Sequence, residues 1–162
     1  MSEFEKACKV LFDFEGGYVN DPADSGGETK YGISARSYPF LNIAEITKDQ
    51  AKQIYKRDYY DKYRIAEIKD ETLALKIFLA YCNMPRFSVG YAVQRALLKL
   101  GFPLKFDSII GSKTISCIND SRASLLDDLI SYELIQHYFW RAMIKKDQTK
   151  YLKGWIRRVI LC

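Results

Sequence analysis

Residues 15 to 34 read Glu-Gly-Gly-Tyr-Val-Asn-Asp-Pro-Ala-Asp-Ser-Gly-Gly-Glu-Thr-Lys-Tyr-Gly-Ile-Ser, crowding carboxyls, hydroxyls and glycines directly after an apolar helical pattern. Acid-catalysed cleavage of a glycosidic bond suits such a set. It needs a carboxylic acid that stays protonated near neutral pH, and a second group that steadies the developing cation or orients water. Glu15 fits the acid. It follows Leu11 by four residues, which places it beside the apolar stripe and at the negative end of the helix. Both surroundings disfavour the anion and raise its pKa above the usual value of about 4.3. Asp21, Asp24, Glu28 and Thr29 follow within reach, and Asp24 and Thr29 are the choices for placing or activating water. A separation of roughly 6.5 to 9.5 Å between acid and base gives inversion and about 5 Å gives retention, and the sequence leaves both open. Turn chemistry competes for the same residues. Asn20-Asp21-Pro22 and Asp24-Ser25-Gly26-Gly27 are turn formers whose acids ordinarily cap backbone N–H groups. An unpaired acid on an apolar helix face, by contrast, is costly unless it serves a reaction, so Glu15 carries the assignment.

The elements that must position these residues read as mostly helix. Ser2 and Glu5 form a capping-box pattern ahead of Phe4, Ala7, Cys8, Leu11 and Phe14, which recur at helical spacing until Gly16-Gly17. From Tyr18 to Ser34 the period is lost, and turns joined by short extended pieces predict a small β-hairpin. Thr47 and Gln50 cap a second helix through Ala51, Ile54, Tyr55 and Tyr59. Leu73, Ala74, Ile77, Phe78 and Tyr81 form a third stripe, ended near Pro85. Ser88 then reads as the cap of a helix carrying Val89, Ala92, Val93, Ala96, Leu97 and Leu100, with Gly101 as its stop. A loop from Phe102 to Gly111 precedes a short helix near Lys113 to Ile118, a long one from about Ala123 to Ile144, and a last one around Tyr151 to Leu161. The expected fold class is mainly α, a helical domain with a small β-hairpin after its first helix.

A chain of 162 residues, 48% of them apolar, suits one compact domain spanning 1–162. The net charge of +5, from 25 basic and 20 acidic residues, favours anionic partners. Cys8, Cys82, Cys117 and Cys162 lack the close spacing of zinc ribbons and redox motifs, so reduced thiols are expected. Acids at Glu3 and Glu5 replace the basic start of a secretory signal, and no apolar run reaches membrane-spanning length. The expectation is synthesis in a bacterial or phage-infected cytoplasm without a signal peptide, and no stable membrane insertion. His137 is the single histidine, which argues against a zinc amidase, and the absence of a GxSxG elbow argues against a serine hydrolase. Cys82 or Cys117 paired with His137 would make a cysteine peptidase, but nothing flanking either thiol suggests activation. Tyr31, Tyr38, Tyr59, Tyr60, Tyr63 and Trp155 can stack on sugars or pack inward, and packing is the expectation for Tyr55 and Tyr59. Lys145-Lys146, Lys150, Lys153 and Arg157-Arg158 read as a solvated basic face, with no nucleic-acid-reading motif beside it. No cofactor or metal is implied.

At Glu15-Gly16-Gly17-Tyr18 the chain resembles glycoside hydrolase family 108, the bacterial and phage muramidases with an EGGY-type motif followed by a GGxTxxGI stretch. Asn20-Asp21-Pro22, Asp24, Gly26-Gly27-Glu28-Thr29 and Tyr31-Gly32-Ile33 follow that pattern. The likeness continues through Ala51, Tyr55, Tyr59-Tyr60, Asn83, Gln94, Gly154-Trp155 and Arg157-Arg158. Asp107-Ser108-Ile109-Ile110-Gly111, with Lys113-Thr114, resembles the DGxxGxxT turn of a peptidoglycan-binding module. The resemblance implies a lysozyme-like fold with a catalytic half at about 1–86 and a peptidoglycan-binding helical half at about 87–162. It also implies cleavage of the glycan between N-acetylmuramic acid and N-acetylglucosamine. Glu15, Asp24 and Thr29 become catalytic, and Asn20, Asp21, Tyr31, Asn83 and Gln94 become substrate-binding. The partner is the peptidoglycan glycan strand, the protein is expected to be a monomer, and a holin or secretion system would carry it to the periplasm or exterior. Ser108 stands where that turn carries glycine, which strains the turn if a positive φ is required, and Leu79 stands where relatives carry aspartate. A lytic transglycosylase on the same substrate, and a non-catalytic wall-binding or secretion-accessory protein, are the alternatives.

Overall fold

The structure is a computed structural model and describes residues 1–14, 17–18 and 27–161. The chain divides into two compact units, Met1–Lys62 and Tyr63–Cys162. Among the described residues no helix is long and apolar enough to cross a membrane.

In the first unit, α1 (Glu3–Phe14) begins at the expected capping box. Glu5 N–H donates to Ser2 Oγ at 3.3 Å, and Ser2 N–H donates to Glu5 Oε2 at 2.8 Å. The helix buries Ala7, Cys8 and Leu11. It also sets Phe4 edge-on to Tyr60 at 5.0 Å, and Phe12 edge-on to Tyr31 and Tyr55 at 5.9 and 6.1 Å. β1 (Thr29–Lys30) and β2 (Ile33–Ser34) pair antiparallel, with Thr29 opposite Ser34 and Lys30 opposite Ile33. The intervening Tyr31 and Gly32 have φ of 52° and 76°, the two positive angles of a type I′ turn, whose twist matches that of its strands. Thr47 and Gln50 complete both bonds of the second capping box at the start of α2 (Lys48–Tyr55). α2 then widens into a π turn, Lys56–Asp61. The expected stripe changes register there. A π turn takes in an extra residue, so Tyr60 is buried while Tyr59 is only half-buried.

The second unit is built around α6 (Ala123–Ile144), whose Leu126, Ile130, Leu134, Tyr138 and Ala142 recur every four residues as a buried stripe. It packs on α3 (Glu71–Asn83), α4 (Arg86–Lys99), α5 (Ser112–Asp120) and α7 (Leu152–Ile160). Asp70 caps α3 by accepting from Leu73 N–H at 2.9 Å. Tyr81 of that helix lies flat on Tyr63, with ring centroids 3.8 Å apart. α4 starts earlier than expected, and Ser88 is not its cap. Pro85 ends the extended approach to the helix, and its carbonyl accepts from the N–H groups of Ser88 and Val89, which leaves Ser88 buried in the first turn. Gly101 does stop α4, at φ 87°, with Phe102 N–H donating to Leu97 O and Gly101 N–H to Leu98 O in a Schellman arrangement.

Candidate active site

α1 ends at Phe14 with Leu11 fully buried one turn earlier. Glu15, Asn20, Asp21 and Asp24 lie outside the described residues. Their flanks are described. Tyr18 donates its phenol proton to Glu28 Oε1 at 2.5 Å, tying the chain before residue 19 to the chain after residue 26. Glu28, a candidate for the second role, thus has a committed partner. Thr29 is half-buried on β1, and its hydroxyl donates to Gly27 O at 3.3 Å, a long bond that leaves the oxygen free to accept. Ala35 N–H closes the hairpin base by donating to Glu28 O at 2.8 Å.

Tyr31 occupies the left-handed region, which costs a side chain with a Cβ about 1 kcal/mol or more. Tyr55 offsets this by donating its hydroxyl to Tyr31 O at 3.1 Å, while Phe12 packs against the Tyr31 ring and Lys30 Nζ lies 5.7 Å from the ring centre. The hairpin tip is thereby fixed on α1 and α2 within one unit.

The same unit holds an open groove of about 440 Å³, lined among others by Asn42, Glu45, Gln50, Gln53 and Arg57. Apart from Gln50, which caps α2, no motif in the sequence marks these residues. The available signal was the spacing of Gln50, Gln53 and Arg57, a polar face on the helix whose other face carries Ala51 and Tyr55. Arg57 grips Asp58 through two bonds of 2.7 Å, and Tyr38 donates to Asp58 Oδ2 at 2.9 Å. The Arg57 guanidinium, together with the Tyr38 hydroxyl, holds the Asp58 carboxyl below the usual carboxylate range, while burial pushes the Tyr38 phenol up. Amide, carboxylate and guanidinium groups around an open trough suit a hydroxyl-rich ligand.

Asn83 and Gln94 lie in the second unit, and both turn their amides to protein. Asn83 Nδ2 donates to Leu79 O at 2.8 Å, and its Oδ1 accepts from Arg158 of α7. Leu79 itself is buried and lines a small void of about 20 Å³ with Lys76, Asn83 and Arg158. Gln94 is 1% exposed and fully engaged. Its Nε2 donates to Asp107 Oδ1 at 2.9 Å and Ile109 O at 3.0 Å, and its Oε1 accepts from Asp107 N–H at 3.0 Å and Ser108 N–H at 2.8 Å. The turn it clamps sits directly on α4. A Cβ at Gly90 would come 1.9 Å from Ser108 O, so only glycine allows this approach. Ser108 has φ 64°, the left-handed conformation that the glycine of the DGxxG turn supplies. Hydrogen bonds from Gln94 and from Ile109 N–H hold the Asp107 carboxyl below its ordinary range.

Burial pushes the Cys8 thiol up to about 12, far from a nucleophilic thiolate. His137 is half-buried, and burial lowers its pKa. Among the described residues no group of three or more His, Cys, Asp or Glu side chains is placed to hold a metal ion.

Comparison with known proteins gives these features a family. Residues 8–84 match the family described as Glycosyl hydrolase 108, and residues 91–160 match one described as Predicted Peptidoglycan domain. No curated protein matches the chain significantly. Among solved structures, SagA of Brucella abortus superposes with a TM-score of 0.71 at 20% identity, covering 98% of this chain and 94% of that one. At this identity the likeness is one of fold, mainly helical and lysozyme-like with a small hairpin after the first helix. The carboxyl-rich segment lies inside the first match and the clamped turn inside the second, and the two matches together support a glycoside hydrolase directed at peptidoglycan, with residues 8–84 matching the glycosyl hydrolase 108 family.

Proposed function

We propose that the protein is an N-acetylmuramidase that hydrolyses peptidoglycan between N-acetylmuramic acid and N-acetylglucosamine. Glu15 is the general acid that protonates the leaving oxygen, and Asp24 and Thr29 place or activate the water that attacks the sugar. One observation carries this reading: a single family match over residues 8–84 includes all three residues together. The geometry of the flanks supports it. α1 buries Leu11 and ends at Phe14, and in the sequence Glu15 follows Leu11 by four residues, the spacing on which its protonated state is argued. Thr29 stands on a hairpin whose tip is fixed by Tyr55 and Phe12. Asn20, Asp21 and Tyr31 bind the sugars. Asn83 and Gln94 act as positioning residues, since their amides are spent on α7 and on the Asp107 turn. The protein works as a monomer on the cell wall, and a holin or secretion system brings it there.

Glu15→Gln tests the mechanism. The variant should keep the helical circular dichroism and melting temperature of the parent, and its clearing of a peptidoglycan suspension should fall at least about 100-fold, the usual contribution of general acid catalysis. Undiminished clearing removes Glu15 from the reaction. Mass spectrometry of the parent's products should show reducing N-acetylmuramic acid ends. Anhydro ends would instead mean that no water takes part, which is lytic transglycosylase chemistry.

A further inference from the structure

α4 and α6 face each other across an open groove of about 450 Å³, to which the mechanism assigns no role. Helical spacing builds both walls. Phe87, Tyr91 and Arg95 recur every four residues along α4, and Glu133, His137 and Trp140 recur at intervals of four and three along α6. Trp140 is 61% exposed, Phe87 54% and Tyr91 37%, so three rings are left facing one trough. The acid in the groove is already compensated: Glu133 is 4% exposed, with its carboxylate held by Arg95 at 3.2 Å and Lys99 at 2.5 Å. The Ser88 hydroxyl, the Gln136 amide and the His137 imidazole form no hydrogen bond within the described residues, and all three line the groove.

Exposed rings beside uncharged hydrogen-bonding groups suit a neutral pyranose, whose C–H face stacks on an aromatic ring while its hydroxyl and acetamido groups find donors and acceptors. The stem peptides of the wall carry ionised carboxylates and would call for a free cation, whereas Arg95 is held by Glu133. The groove also lies within the stretch matched as a peptidoglycan domain, apart from the start of α4. We propose that it is a binding subsite for an N-acetylhexosamine of the glycan strand, with Trp140 as the stacking platform and Gln136 and His137 as hydrogen-bonding partners. The proposal rests on the peptidoglycan reading and gives the second unit its own hold on the substrate.

The test uses the full-length Glu15→Gln chain, labelled with nitrogen-15 and titrated with tri-N-acetylchitotriose while both indole N–H signals are followed. Trp140 should shift saturably, and Trp155, stacked on Tyr138, should not. Adding Trp140→Ala should lower retention on purified sacculi about tenfold without moving the melting temperature, the scale expected for losing one stacked ring. An unmoved Trp140 signal, or unchanged retention of the Trp140→Ala variant, overturns the proposal. Self-association that Trp140→Ala abolishes, with no saccharide shift, assigns the groove to a second copy and also overturns it. Clearing of sacculi by the parent protein, measured in parallel, separates the two readings. Intact clearing with a silent Trp140 removes the groove alone, and a shifted Trp140 without clearing removes the hydrolase and keeps the sugar site.

Discussion

Ser108 holds a conformation that its own Cβ resists, at φ 64°, because the turn it belongs to is pinned on both sides. Gln94 fixes its N–H, and Gly90 lets its carbonyl press onto α4. Ser108→Gly should therefore stabilise the protein by up to about 1 kcal/mol, the relief of left-handed strain less the extra freedom that glycine has in the unfolded chain. A urea midpoint that moves downward would show that the strain is absent. The mismatch at position 108 was legible in the sequence, because the surrounding turn has its own residue signature. The Gln94 clamp was not, since its partners stand 13 to 15 residues away and a buried amide leaves no periodic trace. Glu15 stands out in the sequence for the opposite reason, an acid four residues beyond Leu11 that interrupts an apolar spacing, and it lies outside the described residues.

Among the elements, the helices with strong apolar periods came through with close boundaries. The long helix expected from about Ala123 to Ile144 spans Ala123–Ile144, and both capping boxes form. The π turn at Lys56–Asp61 did not come through, because hydrogen-bond spacing within a helix is decided by packing rather than by residue type. Ser88 shows the same limit, a good capping residue displaced by the proline before it. α3 and α6 share an interaction that carries its own prediction. Lys76 is 4% exposed and donates to Asp127 Oδ2 at 2.6 Å and to Ser131 at 2.5 Å. Asp127→Ala strands that ammonium inside the protein and should cost about 3 to 5 kcal/mol by chemical denaturation, whereas Lys76→Met combined with Asp127→Leu should come out near neutral. Equal losses in both variants would mean that packing, not the buried charge, sets the cost.

At the scale of the whole molecule, the shifted carboxyls among the described residues all move one way. Glu5, Asp58, Glu67 and Asp107 are held below their ordinary values by hydrogen bonds from the Ser2 backbone N–H, Arg57, Arg64 and Gln94 respectively. Each binds a proton more weakly when folded than when unfolded. Its stabilisation is therefore complete above the reference values of 3.8 and 4.5 and drains away as pH falls through the lower folded values. His137, lowered by burial, adds an earlier decline that begins near its reference value of 6.5. The melting temperature should fall gently below about pH 6.5 and further below about pH 4.5, and His137→Phe should remove only the upper part. A melting temperature constant down to pH 3 would contradict this account.

The four-bonded Gln94 amide also sets a clock. Because Gln94 Oε1 receives the N–H groups of Asp107 and Ser108 from the middle of a buried helix face, those two protons can meet solvent only when the side chain lets go. In hydrogen–deuterium exchange the turn should therefore keep time with the centre of α4, slow and synchronous, although by chain position it is surface loop. Fast labelling of residues 107 and 108 beside a protected Gln94 backbone would mean that loop and helix open separately.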